Sequence, residues 1–259
     1  MLLRLLGRKL EAPAYGAYAT LVGILELGYD TSNMGLGRVC RRYVPEYRIH
    51  ASTNALLKVI IQILSLRTLS SIVFAIGLYF ISRQFPQFLH LEDYQSAVAI
   101  YIIVMAFEGL GRSIRDDMLG ALLLQKIAQM GLVLRNLILL ILVAFATTPL
   151  FDLTQLAWME LAASVIATVF SAFWMLRHIS GLLLVANDTW QAPSFKQMFI
   201  TARAMQVSFL LTLATSQQAF MLFTNAMLGL EAAAIFGFAR NLNNFLRRYL
   251  PAELLMGLI

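Results

Sequence analysis

The sequence predicts an all-α fold: a polytopic bundle of about seven transmembrane helices forming one domain over residues 1–259. Three observations carry this expectation. Only 13% of the residues are charged and 59% are hydrophobic, with a mean hydropathy of +0.73. A soluble domain carries about 25% charged residues because it has a water-facing surface to cover. The apolar residues fall in continuous runs near the roughly 20 residues that a bilayer-spanning helix needs, without the period-two alternation of barrel strands. Finally, the cations collect in alternate loops, so the net charge of +6 reads as a membrane-orientation signal in preference to a nucleic-acid patch.

The first span runs from Pro13 to Gly35 and meets two acids, Glu26 and Asp30, before the Gly35–Gly37 turn. It ends in a basic knot of Arg38, Arg41, Arg42 and Arg48, closed by Pro45. The later spans are expected at Leu56–Ser82, Gln95–Gly111, Gly131–Pro149, Gln155–Leu176, Gln206–Leu228 and Ala232–Ile259. With the knot placed in the cytoplasm, the inside loops 38–50, 112–130 and 177–204, with their flanks, carry eleven cations. These are Arg38, Arg41, Arg42, Arg48, Arg112, Arg115, Lys126, Arg135, Arg177, Lys196 and Arg203. The outside loops carry one, Arg83, beside Glu92, Asp93, Asp152 and Glu231. Because Lys and Arg are retained on the cytoplasmic side, this asymmetry orients every span. Arg4, Arg8 and Lys9 break the rule, and a further helix before Leu5 would remove the exception. Segment 177–204 reads as a cytoplasmic linker. Within it, 194–203 is either a short amphipathic helix or the start of the next span.

Charges inside spans are costly, about 2.5–3.5 kcal/mol each at the bilayer centre on insertion scales, so they mark cavities or ion pairs. Arg67 sits mid-span, and Glu108 lies toward the cytoplasmic side of its span. Arg240, Asn244 and Arg247 share one helical stripe, with Arg248 beside them. One reading pairs these charges structurally between helices. A second makes Arg67, Arg240, Arg247, Arg248, Asn244 and Gln217 a cationic lining for an anionic substrate, since guanidinium forks match phosphate and carboxylate geometry. A third leaves the last span only partly inserted. Glu26, Asp30 and Glu108 are weaker candidates for ion coupling or gating. Glu160, near an outer span end, reads as interfacial, and the doublet Asp116-Asp117 as solvated. Pro251 implies a kinked or broken helix.

Catalytic machinery is not expected. There is no phosphate loop, nucleophile elbow or Cys/His dyad. The one cysteine, Cys40, permits no internal disulfide, and the histidines His50, His90 and His178 lack metal-ligand spacing. Neither a cofactor nor a metal is implied.

Several short motifs resemble the bacterial polysaccharide flippases, O-antigen type, of the multidrug/oligosaccharidyl-lipid/polysaccharide exporter superfamily. They are Leu6-Gly7, Tyr15-Gly16-Ala17-Tyr18, Leu27-Gly28, and Arg42-Tyr43 with Pro45-Glu46. Leu228-Gly229 followed by Phe236-Gly237-Phe238-Ala239 resembles that family's join of helices seven and eight. The resemblance implies helices two to eight of a twelve- to fourteen-helix transporter in the inner membrane. It implies alternating access that moves a polyprenyl-diphosphate-linked oligosaccharide across the bilayer, with cations facing the diphosphate. Arg240 falls just past the Phe238-Ala239 match, whereas no motif anchors Arg67. Gln217 and Gln218 stand in a helix where members often place an acid. One lobe plus two helices would need a second copy or a C-terminal lobe to complete a pathway. The alternatives are a cation-coupled multidrug exporter, which an acidic and aromatic cavity would favour, and a non-transporting scaffold of a polysaccharide-synthase complex, which fully paired charges would favour. A membrane glycosyl- or phosphotransferase would need a carboxylate cluster.

Overall fold

The computed structural model describes residues 10–84, 89–146, 152–182, 190, 192–213 and 215–249, excluding the side chains of 195, 212 and 244–249. The described elements are helical throughout. In chain order they are α1 Ala12–Ser32, α2 Leu36–His50, α3 Thr53–Gln84, α4 Gln95–Arg112, α5 Gln125–Phe145, α6 Leu153–Ser180, α7 Phe195–Leu213 and α8 Gln217–Tyr249. A 3₁₀ turn at Glu92–Tyr94 leads into α4, and a π-helical stretch, Ser113–Leu119, continues it. Five stretches are long and apolar enough to cross a membrane: Thr53–Gln84, Glu92–Leu119, Gln125–Phe145, Leu153–Ser180 and Gln217–Asn243. Helix α1, with two acids in its second half, is not among them.

The basic knot is not a loop but helix α2. Its apolar residues Val39, Cys40, Tyr43, Val44 and Tyr47 recur every three to four positions and are buried, while Arg38, Arg41 and Arg42 face outward. That periodicity is an amphipathic helix. The chain enters it through Met34 and Gly35, both left-handed at φ 49° and 72°. Glycine is required at 35 on a second count, because a Cβ there would strike the backbone of Ala202.

Two apolar clusters set the ends of the bundle. One joins α2, the first turns of α3, the π-helical stretch and 121–128, the end of α6 and Met198 and Ala202 of α7. The other joins the start of α1, Leu91, the first half of α4, the end of α5 and the start of α6. The three segments expected in the cytoplasm thus gather at one end. They are largely helical where described: 38–50 is α2, 112–119 continues α4, and 195–204 is the start of α7. Segment 194–203 is no separate amphipathic helix, since α7 runs unbroken from Phe195 to Leu213.

The last two predicted spans are also redrawn. Gln206–Leu228 is interrupted between α7 and α8, where Ser216 donates its N–H to Leu213 O and its Oγ accepts from Ala219 N–H, capping the new helix. Helix α8 is itself two helices, folded at Gly229 with φ 82° and ψ −178°. Only glycine takes that conformation readily. Gln217 and Arg240 consequently lie 3.3 Å apart across the fold. Both arms pack on α1, with Met221 and Ala233 against Ala19. The bend falls on the Leu228-Gly229 join expected from the sequence. Pro251 lies outside the described residues, as do the side chains of Asn244, Arg247 and Arg248.

Candidate functional site

Tyr18, Glu26 and Tyr29 share one face of α1 by helical spacing. With Glu108 and Arg112 of α4, Arg135 and Asn136 of α5 and Glu160 of α6 they line a cavity of about 130 Å³ within the bundle. That is room for several waters at roughly 10–15 Å³ each on this measure. Apolar walls come from Val22, Leu25, Val104, Met105 and Leu139.

Glu108 is the electrostatic centre. Its Oε1 accepts from Arg115 Nη2 at 2.7 Å and from Arg112 Nε at 3.2 Å. Its Oε2 lies 2.9 Å from Arg135 Nε, an ion contact. Arg135 Nε also donates to Ser164 Oγ at 3.2 Å, which fixes the guanidinium between α4 and α6. Arg115 is 1% exposed and Glu108 7%. Charges this deep persist only when paired and hydrogen-bonded. Glu108, Arg112 and Arg115 are spaced i, i+4 and i+7, so one strip of helix supplies the anion and two of its three cations.

Glu26 faces the folded helix. Its Oε2 accepts from Arg240 Nη2 at 2.7 Å and from Gln218 Nε2 at 3.0 Å. Arg240 Nε donates to Gln217 Oε1 at 3.3 Å. One carboxylate on α1 therefore holds both arms of α8 at the cavity's edge. Glu160 is 4% exposed and accepts a hydrogen bond from Tyr18 Oη at 3.1 Å.

Of the residues singled out from sequence, Glu26 and Glu108 meet at this cavity, and Gln217 and Arg240 join it through Glu26. Asp30, half-buried one turn beyond Glu26, is not among the lining residues. Arg67 stands apart. It is fully buried, donates through Nη2 to Tyr29 O at 2.8 Å, and stacks its guanidinium 4.5 Å from the Tyr29 ring centroid. Arg112 approaches the same ring at 5.2 Å. Arg67 thus braces α3 against α1 through Tyr29, whereas Arg240 is held by Glu26. Each cation–π contact contributes about 0.5–2 kcal/mol, more when desolvated.

Sequence reasoning missed four participants. The sequence places Arg112, Arg115 and Arg135 with the inside loops, and Glu160 at the interface. The misplacement of Arg135 has a definite cause: α5 begins at Gln125, six residues before the predicted Gly131, which carries Arg135 from a first turn into the helix interior. Glu160 lies seven residues inside α6. The spacing of Glu108, Arg112 and Arg115 was the available signal. The acidic doublet also divides. Asp116 is exposed, but Asp117 is 3% exposed and pairs with Arg41 Nη2 at 3.3 Å, because the π-helical turn directs it under α2.

A bundle of long apolar helices that surrounds a buried charged cavity defines a multi-pass membrane protein. More narrowly, residues 2–251 match the family described as polysaccharide biosynthesis protein, and the chain belongs to that family. No curated protein and no solved structure gives a significant match to it.

Proposed function

We propose that the chain forms, or forms part of, a transporter that carries a polyprenyl-diphosphate-linked oligosaccharide across the bacterial inner membrane by alternating access. It performs no covalent chemistry in this reading. Family membership supports a role in polysaccharide biosynthesis or export. The observation that carries the finer reading is the Glu26–Arg240 pair at 2.7 Å, which ties a charged cavity to a helix broken before Gln217 and folded at Gly229. Discontinuous helices commonly build the substrate and ion sites of transporters. Arg240 is the described guanidinium placed to exchange Glu26 for a diphosphate, through bidentate geometry. The end bearing α2 and its arginines faces the cytoplasm, and a second copy or a C-terminal lobe supplies the opposite wall of the pathway.

The test uses the gene as it occurs, in cells lacking their own flippase for a polymer of known structure. Surface polymer and precursor sidedness are measured for the wild type, Arg240→Ala and Glu26→Gln. Export by the wild type, with loss in Arg240→Ala at equal membrane expression, supports the reading. Normal export by Arg240→Ala removes the diphosphate role, and wild type that never restores export removes the transport reading.

A further inference from the structure

The three acids that line the cavity are not equivalent. Glu108 contacts three arginines at 2.7–3.2 Å, and Glu26 contacts Arg240 at 2.7 Å. Glu160, which is 4% exposed, has no cation within ion-pair distance among the described residues. Among the described residues its side-chain hydrogen-bond partner is a phenol, Tyr18 Oη at 3.1 Å. Beside it the Tyr101 hydroxyl is buried and without a hydrogen-bond partner, its ring 6.4 Å from that of Tyr18. The guanidinium of Arg135 is held at Nε by Glu108 and by Ser164, one turn along α6 from Glu160.

We infer that Glu160 is the group of this cavity that takes up and releases a proton. This rests on the reading of the chain as a transporter only for what that proton drives. A carboxylate locked into three guanidiniums gives up its charge only by leaving three cations unpaired. Glu160 faces no such penalty. The groups facing it are Tyr18 of α1, Tyr101, Glu108 and Arg112 of α4, and Arg135 of α5; every cation among them is within reach of Glu108. The step is simple: a proton arrives through the cavity, one carboxylate oxygen of Glu160 becomes a hydroxyl, and no other bond changes. Protonated, that oxygen becomes a donor in a pocket whose Tyr101 hydroxyl has no hydrogen-bond partner among the described residues. A metal ion is disfavoured by the chemistry present, because one carboxylate and two phenols offer too few oxygens, and no group of three His, Cys, Asp or Glu residues able to hold one occurs among the described residues.

The test is infrared difference spectroscopy of the purified full chain during a pH titration, reading the carbonyl stretch of a protonated buried carboxylic acid. The wild type and Glu26→Gln are expected to show a titrating band, and Glu160→Gln to lose it, with proton uptake falling by one per chain. Tyr18→Phe, which keeps the acid and removes its partner, is expected to shift the titration midpoint. A band that persists in Glu160→Gln, or a wild type without one, overturns the inference. Polymer export is measured in parallel. If wild type fails to export while the band behaves as expected, the transport reading falls and the proton site stands.

Discussion

Replacing Glu108 with Gln removes one charge and strands three. In the wild type its carboxylate lies 2.7 Å from Arg115, 3.2 Å from Arg112 and 2.9 Å from Arg135. Arg112 is a third exposed and can turn toward water at small cost, whereas Arg115 is 1% exposed and Arg135 15%. Breaking a buried pair by removing one partner costs about 3–5 kcal/mol, because the remaining charge stays buried without compensation. For a chain of this size 1 kcal/mol moves the melting temperature by about 2–4 °C, so the loss is roughly 6–20 °C. The assay is thermal denaturation in detergent, followed by size-exclusion chromatography of the fluorescently tagged chain. Adding Arg115→Met to Glu108→Gln is expected to recover part of the loss, because the cation with least access to water is then gone. A shift under about 2 °C for Glu108→Gln would refute the argument that this carboxylate holds α4, α5 and α6 together.

Other expectations follow from single contacts. Arg240→Glu alone puts two carboxylates face to face and is expected to abolish export, while Glu26→Arg with Arg240→Glu restores the pair and part of the activity; export no better in the double variant would show that the pair is incidental. Gly229→Val forces a side chain into a backbone region almost confined to glycine, a cost of about 1–3 kcal/mol, read as lower thermal stability; an unchanged melt would mean that the bend is not there. Cys40 is the one cysteine of the sequence and wholly buried, and burial also pushes its thiol pKa up, so little thiolate is present to react. Maleimide labelling is therefore expected to be slow in native membranes and rapid after denaturation; fast native labelling would show that α2 does not pack as described.

Fold class was legible because it depends on sums. Apolar run length and loop charge survive errors of several residues at any boundary. The site was less legible because it depends on depth. Arg135 and Glu160 were placed correctly in sequence but too near the ends of their helices, and a few residues separate an interfacial charge from one that must be paired. Arg67 illustrates the opposite failure. Its mid-span position announced importance, yet the partner it found was an aromatic ring and a carbonyl one helix away, which no charge inventory lists. Helix α2 is hidden in the sequence by its own arginines: four cations outweigh the apolar spacing of Val39, Cys40, Tyr43, Val44 and Tyr47 and look like a stop signal where the chain forms an amphipathic helix.

The partners Glu26 and Arg240 are separated by 214 positions. A ribosome adding about 5–20 residues per second needs roughly 10–40 s to cover that interval. Throughout it, in the proposed transporter, α1 stands in the membrane with an acid whose cation does not yet exist. The reduced apolarity of α1 is thus a matter of timing as well as architecture. The first described helix must be tolerated by the insertion machinery as a poor solitary span, and it becomes a good one only when the last described helix folds back over it.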